Sequence, residues 1–327
     1  MNQVFANKHV LITGGLGFIG SNLARRLVNT GAMVLLVDSL IPEYGGNLFS
    51  IAGIEERLRL NISDVRDEHS MRYLIQGQDY IFNLAGQTSH LDSMHDPFTD
   101  LEINCSAQLS ILEACRKYNP TTKIVFASTR QVYGKPEYLP VNEKHPVHPV
   151  DVNGVNKLAG EWYHLLYNNV YGIRACALRL TNTYGPHMRV RDARQTFLGI
   201  WIRLLIEGKP FEVWGGQQLR DLTFVDDAVE AFLTAAARED ANGKIFNLGG
   251  DRVISLKDLA ELLIEINCGG KYTSMEYPPE RKRIDIGDYY SDYALIKSTL
   301  GWQPRIPLRD GLEKTLIFYK KHINQYL

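Results

Sequence analysis

The chain has 327 residues, and its 36 basic and 37 acidic side chains give a formal net charge of -1. This balance provides no overall field to attract nucleic acid or an anionic membrane, so neither is expected as a partner. The four cysteines are widely spaced and match no zinc-binding pattern, so we expect no metal. The start, Met1 to Lys8, lacks the apolar core of a signal peptide, and no apolar run could span a membrane. These features predict a cytoplasmic protein.

Short β-rich segments alternate with longer helical patterns through the first half of the chain. This alternation predicts an α/β fold of the Rossmann type, a doubly wound parallel sheet with helices on both faces. Helices are predicted at 22–29, 100–118 and 153–170, where apolar residues recur at helical spacing. The strands are predicted at 9–13, 33–38, 58–61, 80–85, 123–128 and 173–180.

The alternation stops after residue 180, where prolines are scattered among short segments. We therefore predict a first domain at 1–180 and a smaller mixed domain at 181–220 and 248–327. A strand-then-helix pattern at 221–237 predicts that 221–247 crosses back to the first domain. A substrate cleft is expected between the two domains.

A glycine-rich turn follows the first predicted strand and opens the first predicted helix. Gly14, Gly17 and Gly20 let backbone amides approach a pyrophosphate, which the helix dipole also faces. The next strand ends at Asp38, whose carboxylate can hold a ribose 2'-hydroxyl and repel a 2'-phosphate. A tight turn with a helix cap is the alternative, but strand, turn, helix and acidic residue all agree with a dinucleotide site. The pattern predicts NAD rather than NADP.

The turn's spacing, Thr-Gly-Gly-Leu-Gly-Phe-Ile-Gly over 13–20, resembles that of extended short-chain dehydrogenases/reductases, and the resemblance covers nearly the whole chain. It implies that 1–180 binds NAD and that the smaller domain binds a nucleotide sugar. It also implies that Asp64 and Val65 flank the adenine, although a solvated acidic loop explains Asp64 equally well. The cofactor-binding residues implied are Gly14, Gly17, Phe18, Ile19, Asp38, Asp64, Val65, Leu84, Ala85, Gly86 and Lys157.

Two further segments resemble family members that act on nucleotide sugars. Residues 87–93, which include His90, are similar to the family's loop over the sugar, with Asn104 on the helix that follows. Residues 179–186 are similar to Arg-Xaa-Xaa-Asn-Xaa-Tyr-Gly-Pro, whose Asn, here Asn182, touches the sugar nucleotide. The substrate implied is a nucleoside-diphosphate sugar.

Arg220 lies in a segment that resembles the one whose arginine grips the diphosphate. A planar guanidinium suits that task because it donates two parallel hydrogen bonds. The alternative is a structural ion pair with Asp221 or Asp226. Arg281 and Arg283 are weaker candidates for a second phosphate contact.

The family's catalytic pair is Tyr-Xaa-Xaa-Xaa-Lys on a helix, and only the lysine is matched. Lys157 begins a Lys-Leu-Ala-Gly-Glu run similar to the family's, and Asn153 stands four residues earlier, where the tyrosine is expected. An amide does not titrate near neutral pH, so Asn153 can position a hydroxyl but cannot accept its proton. The resemblance implies that Lys157 binds the nicotinamide ribose.

Thr129 matches the family's companion hydroxyl, and the two residues after it indicate the reaction. Dehydratases carry Asp-Glu there and decarboxylases a Glu at the second place, whereas this chain has Arg130 and Gln131. Neither is an ordinary general acid or base, which favours reversible oxidation and reduction at one carbon, as in a 4-epimerase. Arg130 could stabilise an alkoxide or enolate oxygen electrostatically. The alternatives are a nucleotide-sugar dehydrogenase or reductase, and a binding protein that has lost turnover.

If the protein is active, some other group must move the proton. His90, His187 and Tyr133 are the nearest candidates in the sequence. His187 follows the Tyr-Gly-Pro segment at the expected cleft, and imidazole titrates in the useful range, although a lone loop histidine is more often structural. Tyr133 belongs to a Val-Tyr-Gly turn that the family keeps for packing.

The family usually dimerises through the Tyr/Lys helix and the long helix before it, which predicts a homodimer. Apolar residues on both predicted helices allow this, and they could equally be core positions. They are Leu158, Trp162, Leu165 and Leu166 on one helix and Leu109, Leu112 and Ala114 on the other.

Overall fold

The computed structural model describes residues 2–277 and 284–327. Its centre is a seven-stranded sheet in which every pairing is parallel, which confirms the predicted α/β, Rossmann-type class. The strands are β1 (His9–Thr13), β2 (Met33–Asp38), β3 (Leu58–Ile62), β4 (Tyr80–Asn83), β5 (Lys123–Thr129), β6 (Arg174–Leu180) and, at one edge, Ile245–Asn247. The spatial order is β3, β2, β1, β4, β5, β6 and Ile245–Asn247, so the chain reverses direction across the sheet between β1 and β4.

Helices cover both faces of this sheet because alternate strand residues point to opposite sides. In β1, Val10 and Ile12 pack into one apolar core and Leu11 into the other. The helices of the first half are α1 (Asn2–Phe5), α2 (Phe18–Val28), α3 (Glu68–Ile75), α4 (His90–His95), α5 (Pro97–Leu101), α6 (Ala107–Tyr118) and α7 (Val152–Tyr171).

The helix predicted at 100–118 is longer and less regular than expected. It begins at Pro97, where the side chain of Asp96 caps it by accepting from Thr99 N at 3.1 Å. A π-helical turn at Glu102–Ser106 then separates α5 from α6. Such turns are frequent at functional sites, and this one contains the buried Asn104.

The second half forms two smaller sheets around the remaining helices. One sheet contains β7 (Asn182–Tyr184), β9 (Leu219–Phe224) and β11 (Val253–Ser255), and the other pairs β8 (Phe211–Trp214) with β12 (Tyr272–Met275). The edge strand Ile245–Asn247 is β10. The helices are α8 (Phe197–Ile206), α9 (Val225–Ala237), α10 (Leu256–Ile266), α11 (Ala294–Leu300) and α12 (Leu308–His322).

The segment 221–247, predicted to cross back to the main sheet, is divided between the main sheet and the three-stranded sheet. Its strand, β9, belongs to the three-stranded sheet. Its helix, α9, packs against α2 and β5, and β10 pairs with β6. No helix among residues 2–277 and 284–327 combines the length and apolar character needed to cross a bilayer.

Candidate active site

A cavity of about 240 Å³ opens at the carboxyl ends of the central parallel strands. This is where ligands bind in doubly wound sheets, at the point where strand order reverses. It is lined by most of the residues that the sequence predicted for the site, but not by Arg220, Asn104, His187 or Tyr133. The predicted residues that line it are Gly14, Gly17, Phe18, Ile19, Gly20, Asp38, Asp64, Val65, Leu84, Ala85, Gly86, His90, Thr129, Arg130, Asn153, Lys157 and Asn182.

The glycine-rich turn leaves backbone room that side chains would fill. Gly14 has φ +67°, a conformation that favours glycine, and a Cβ there would lie 3.0 Å from Ala85 N. A Cβ on Gly20 would lie 2.2 Å from Gly14 O, so only glycine lets α2 approach the turn this closely. The free amides at the start of α2 therefore face an open cradle. The cradle fits the pyrophosphate of a dinucleotide.

Asp38 ends β2 at the wall of the cavity, where its carboxylate accepts from Leu16 N at 3.0 Å and from Leu40 N at 2.9 Å. Burial raises the pKa of Asp38, and these backbone hydrogen bonds oppose the rise. A carboxylate has lone pairs beyond the two used here, so Asp38 can also accept from a ribose diol. The Asp38 environment fits NAD.

Asp64 lines the same end of the cavity, although its carboxylate is already paired. Arg66 Nη2 donates to it at 2.8 Å, and this hydrogen bond lowers the pKa of Asp64. Val65 beside it is buried. Asp64 and Val65 therefore offer an apolar and backbone surface at the position predicted for the adenine.

Lys157 and Thr129 face the opposite end of the cavity. Lys157 Nζ donates to Ala127 O at 3.1 Å and retains further N–H donors. Burial lowers the pKa of Lys157 to about 8, and the negative charge of Asp100 opposes the shift. Thr129 Oγ1 accepts from Gln131 N at 3.2 Å, which leaves the hydroxyl proton available to a ligand.

Asn153 is 2% exposed and both of its N–H donors are used inside the protein. Nδ2 donates to Gln87 O at 2.8 Å and to Asp100 Oδ2 at 3.0 Å. Asn104 makes the same two contacts, and Asn156 Nδ2 donates to Asp100 Oδ1 at 2.8 Å. Asn153 therefore offers the cavity only an amide oxygen, which accepts hydrogen bonds but does not take up a proton.

Arg130 and Asn182 form a polar corner beside Thr129. Arg130 Nη2 donates to Asn182 Oδ1 at 3.0 Å, and the guanidinium lies 5.1 Å from the centre of the Tyr289 ring. Burial and, to a smaller extent, the nearby charge of Arg220 lower the pKa of Arg130 to about 10. Among the described residues, Arg130 Nη1 and Asn182 Nδ2 have no hydrogen-bond partner. Unpaired buried donors of this kind are costly unless a ligand supplies an acceptor.

The placement of Arg220 does not support the predicted diphosphate contact. Its side chain is buried, Nη1 donates to Gly287 O, and Nη2 lies 3.5 Å from Asp285 Oδ1. The ion-pair alternative is nearer the observed arrangement, but with Asp285 rather than Asp221 or Asp226 as the partner. Arg281 and Arg283 lie outside the described residues.

Two of the three candidates for moving the proton lie away from the cavity. His187 was expected at the cleft, but it is buried against Tyr326, with Nδ1 2.5 Å from the Tyr326 hydroxyl. Burial lowers the pKa of His187 to about 3. Tyr133 is fully buried and donates to Asn247 Oδ1 at 2.7 Å, and burial raises its pKa to about 12. Of the three, His90 alone lines the cavity.

Sequence reasoning missed several residues that complete the cavity wall or support it. Asp151 lies directly behind His90, and the pattern of an acidic residue before a helix predicts an N-cap but no link to His90. The other missed residues are spread over unrelated loops, with no local signal to join them. They include Ser39, Ile41, Tyr44, Ser63, Gln195 and Thr196.

Known proteins resemble this chain along most of its length. Residues 10–249 match the model of the NAD dependent epimerase/dehydratase family. A dTDP-glucose 4,6-dehydratase of Streptomyces griseus is 31% identical over 96% of this chain and 94% of its own length. A UDP-glucose 4-epimerase of Mycolicibacterium smegmatis is 30% identical over 95% of this chain and 98% of its own. The structure of UDP-glucose 4-epimerase from Thermotoga maritima with UDP-glucose is 28% identical, has a TM-score of 0.87, and covers 96% of this chain and 99% of that one.

Proposed function

Because the chain belongs to the NAD-dependent epimerase/dehydratase family and takes NAD as its cofactor, we propose that it is an epimerase of a nucleoside-diphosphate sugar. The reaction inverts C4 through a transient 4-keto sugar. Its relatives include both epimerases and dehydratases, so overall similarity does not choose between the two reactions. The choice depends on the side chains around Thr129 and Lys157.

The proposal depends on the reacting end of the cavity, where the part of the chain that the structure describes places no carboxylate on the wall. Among the described residues, the acidic side chains that line the cavity are Asp38 and Asp64, both at the end expected for the adenosine. Gln131, which follows Arg130, turns inward and donates to Asp151 Oδ2 at 2.8 Å. Besides the proton transfer at the oxidised hydroxyl, elimination of water needs an acid or base that takes a proton from carbon and protonates the leaving hydroxyl, and neither Arg130 nor Gln131 is suited to that second task. Oxidation and reduction at one carbon need no such carboxylate.

Residues at both ends of the cavity fit NAD. The turn at Gly14, Gly17 and Gly20 would hold the pyrophosphate, Asp38 the adenosine ribose and Lys157 the nicotinamide ribose. When bound, NAD supplies the hydride acceptor and donor for the sugar carbon. Placing the ammonium of Lys157 at that end also adds positive charge where a hydroxyl loses its proton.

The sugar would lie against Thr129, Arg130 and Asn182. The hydroxyl of Thr129 would donate to the oxygen on the reacting carbon, which orients that carbon. The unpaired donors of Arg130 and Asn182 would bind sugar oxygens and stabilise negative charge that develops on the keto oxygen. Together these contacts position the sugar without taking its proton.

The proposal is tested with NAD-loaded protein and a panel of UDP, dTDP, CDP and GDP hexoses, with products identified by NMR. We expect one member to interconvert with its C4 epimer. A 4-keto-6-deoxy product would identify a dehydratase, and net release of NADH with an oxidised sugar would identify a dehydrogenase. Either product would overturn the epimerase assignment.

The side chain of Asn153 favours one other function, that of an NAD- and nucleotide-sugar-binding protein without turnover. Its amide is committed to Gln87 and Asp100 and leaves the usual catalytic position without a base. Such a protein would bind a nucleotide sugar tightly in calorimetry and convert none of the panel. The two functions therefore differ in product formation rather than in binding.

We also propose that the protein is a homodimer whose interface includes the exposed face of α7. Leu165, Leu112 and Ala114 are core residues, but Trp162 is 55% exposed and Leu166 is 49% exposed on α7. Large apolar side chains exposed together on one helix are typical of an interface. The Trp162→Asp variant should sediment as a monomer. The matched change of exposed Ile317 on α12, Ile317→Asp, should leave the dimer intact, and a monomeric wild-type protein would contradict the proposal.

A further inference from the structure

His90 and Asp151 form a histidine–carboxylate pair at the cavity wall. His90 begins α4, and Asp151 is the N-cap residue of α7, two positions before Asn153. His90 Nδ1 lies 2.9 Å from Asp151 Oδ2, which is an ion-pair distance, although the contact does not have the geometry of a hydrogen bond. Contacts of this kind often align fully only when substrate is bound.

The exposure of the two side chains fits a base that reaches the substrate and a buried group that orients it. The side chain of His90 is 39% exposed and lines the cavity, whereas the side chain of Asp151 is completely buried. With Nδ1 turned to the carboxylate, Nε2 is the ring nitrogen left for a ligand. This arrangement resembles, in roles alone, the base and carboxylate of hydrolytic triads.

Asp151 is fixed from two sides. Its Oδ1 accepts from Gly154 N at 2.7 Å, and its Oδ2 accepts from Gln131 Nε2 at 2.8 Å. Burial raises the pKa of Asp151, but the neighbouring His90 and these hydrogen bonds outweigh burial and hold the pKa below its ordinary value. The carboxylate therefore stays ionised near neutral pH and stabilises a positive charge on the imidazole. This also gives Gln131 a purpose, since it holds Asp151 rather than touching the sugar.

His90 is tied to the corner that contains Asn153. Ser93 Oγ donates to His90 O at 2.7 Å, and Asn153 N donates to the same Ser93 Oγ at 3.2 Å. These bonds hold the start of α4 against the start of α7. The imidazole of His90 therefore lies on the cavity wall near the start of α7, where Asn153 offers an amide instead of an acid or base.

We propose that His90 exchanges the proton with the sugar hydroxyl and that Asp151 is its positioning residue, an inference that rests on the proposed epimerase function. In the forward step the hydroxyl O–H bond breaks and its proton passes to His90 Nε2. The C–H bond breaks with its electron pair as hydride to NAD, and the C=O bond forms. After the keto sugar turns, hydride returns to the other face and His90 gives the proton back to the oxygen, so atoms and electrons balance over the cycle.

One charged group contacts the imidazole of His90, and others lie on the same cavity wall or on its own helix. Asp151 faces it from α7 at 2.9 Å, while Lys157 of α7 and Arg130 after β5 line the same cavity. On its own helix, Asp92 is paired with Arg194 at 3.2 Å. Among the residues that the structure describes, Asp151 supplies the carboxylate in contact with the imidazole, so loss of its charge leaves Lys157 and Arg130 without this opposing charge. The protonated imidazole is then less stable.

The test compares His90→Gln and Asp151→Asn with His95→Gln, a matched change at the exposed end of α4. The sugar used is the one that wild-type protein converts. We expect His90→Gln to lower kcat by about 10²–10⁴-fold, the usual contribution of a general base, with KM and the calorimetric affinity for the nucleotide sugar unchanged. We expect Asp151→Asn, which can still cap α7, to lower the rate less and to move the acidic limb of kcat/KM to lower pH. His95→Gln should match wild type.

A wild-type rate in His90→Gln would overturn the inference and leave the epimerase assignment standing. Weaker sugar binding with unchanged kcat would do the same, because it would make His90 a binding residue only. An acidic limb of kcat/KM that does not move in Asp151→Asn would show that Asp151 does not act through His90. Absence of turnover in wild-type protein across the panel would overturn the inference and the proposed function together.

Discussion

Asn153 Nδ2 donates to the carboxylate of Asp100 at 3.0 Å, inside a cluster in which Asn104 and Asn156 donate to the same carboxylate. Asp100 is fully buried. A buried carboxylate is tolerated when charge-assisted hydrogen bonds satisfy its oxygens, and here three amides do so. The residue at the usual catalytic position therefore helps to hold together α5, the π-helical turn and α7.

Replacing the acceptor at the centre of this cluster should destabilise the fold. Asp100→Asn leaves amide donors facing another amide, so we expect the free energy of unfolding to fall by about 2–4 kcal/mol. Urea denaturation measures the change. Glu56→Gln, at an exposed acidic residue, should stay within about 0.5 kcal/mol of wild type. An Asp100→Asn protein as stable as wild type would show that the cluster does not stabilise the fold.

Placing the family's tyrosine at position 153 should not raise kcat. In Asn153→Tyr the larger side chain cannot occupy the buried position of the amide, and the donations to Gln87 and Asp100 are lost. We expect kcat to be unchanged or lower and the unfolding free energy to drop by about 1–3 kcal/mol. Steady-state kinetics and denaturation test this together. A higher kcat would indicate that the loss of tyrosine is secondary and that no dedicated base replaced it.

Lys157 should produce an alkaline limit on activity. Burial lowers the pKa of Lys157 to about 8, so its charge and one of its donors are lost above that pH. We expect kcat/KM to decline above about pH 8. In Asp100→Asn the decline should begin at lower pH, because the charge of Asp100 opposes the shift. A profile that is flat to about pH 10, near the ordinary range for lysine, would contradict this role for the charge.

His164 should weaken the fold in mild acid. It is fully buried, and burial lowers its pKa to about 4 from the ordinary 6.5. Between pH 4 and pH 6.5 the unfolded chain binds a proton at His164 that the folded chain does not bind. The stability that the neutral His164 contributes is therefore complete above pH 6.5 and is lost as pH falls toward 4. The expected loss between pH 7 and pH 5 is about 2 kcal/mol. The fall in unfolding free energy between pH 7 and pH 5 should be smaller by about this amount in His164→Gln. In His148→Gln, a change at an exposed histidine, the fall should equal that of wild type.

The first βαβ unit could be predicted because its signals are local. The bounds of β1 and β2 agree with the predicted strands, and the turn at Gly14 and the acid at Asp38 lie within the same unit. Buried parallel strands carry continuous apolar runs, which are easy to locate in a sequence. The helix ends were predicted less accurately, since α2 begins at Phe18, directly after Gly17, rather than at residue 22.

The contacts that distinguish this site are long-range and could not be predicted. His187 is buried by Tyr326, 139 residues later, and Arg220 pairs with Asp285, 65 residues later. Neither partner is signalled by spacing or periodicity. The link between His90 and Asp151 is of the same kind, because only the packing of α4 on α7 brings the two side chains together.

We propose that one carbon of a nucleotide sugar is oxidised and then reduced with its own hydride. This proposal is tested most directly with the nucleotide hexose that the protein converts, carrying deuterium at C4, by following the products by NMR. We expect the C4 epimer with deuterium retained at C4. Unchanged configuration at C4 after incubation with tightly bound sugar, or deuterium found at C6 of a dehydrated product, would contradict it.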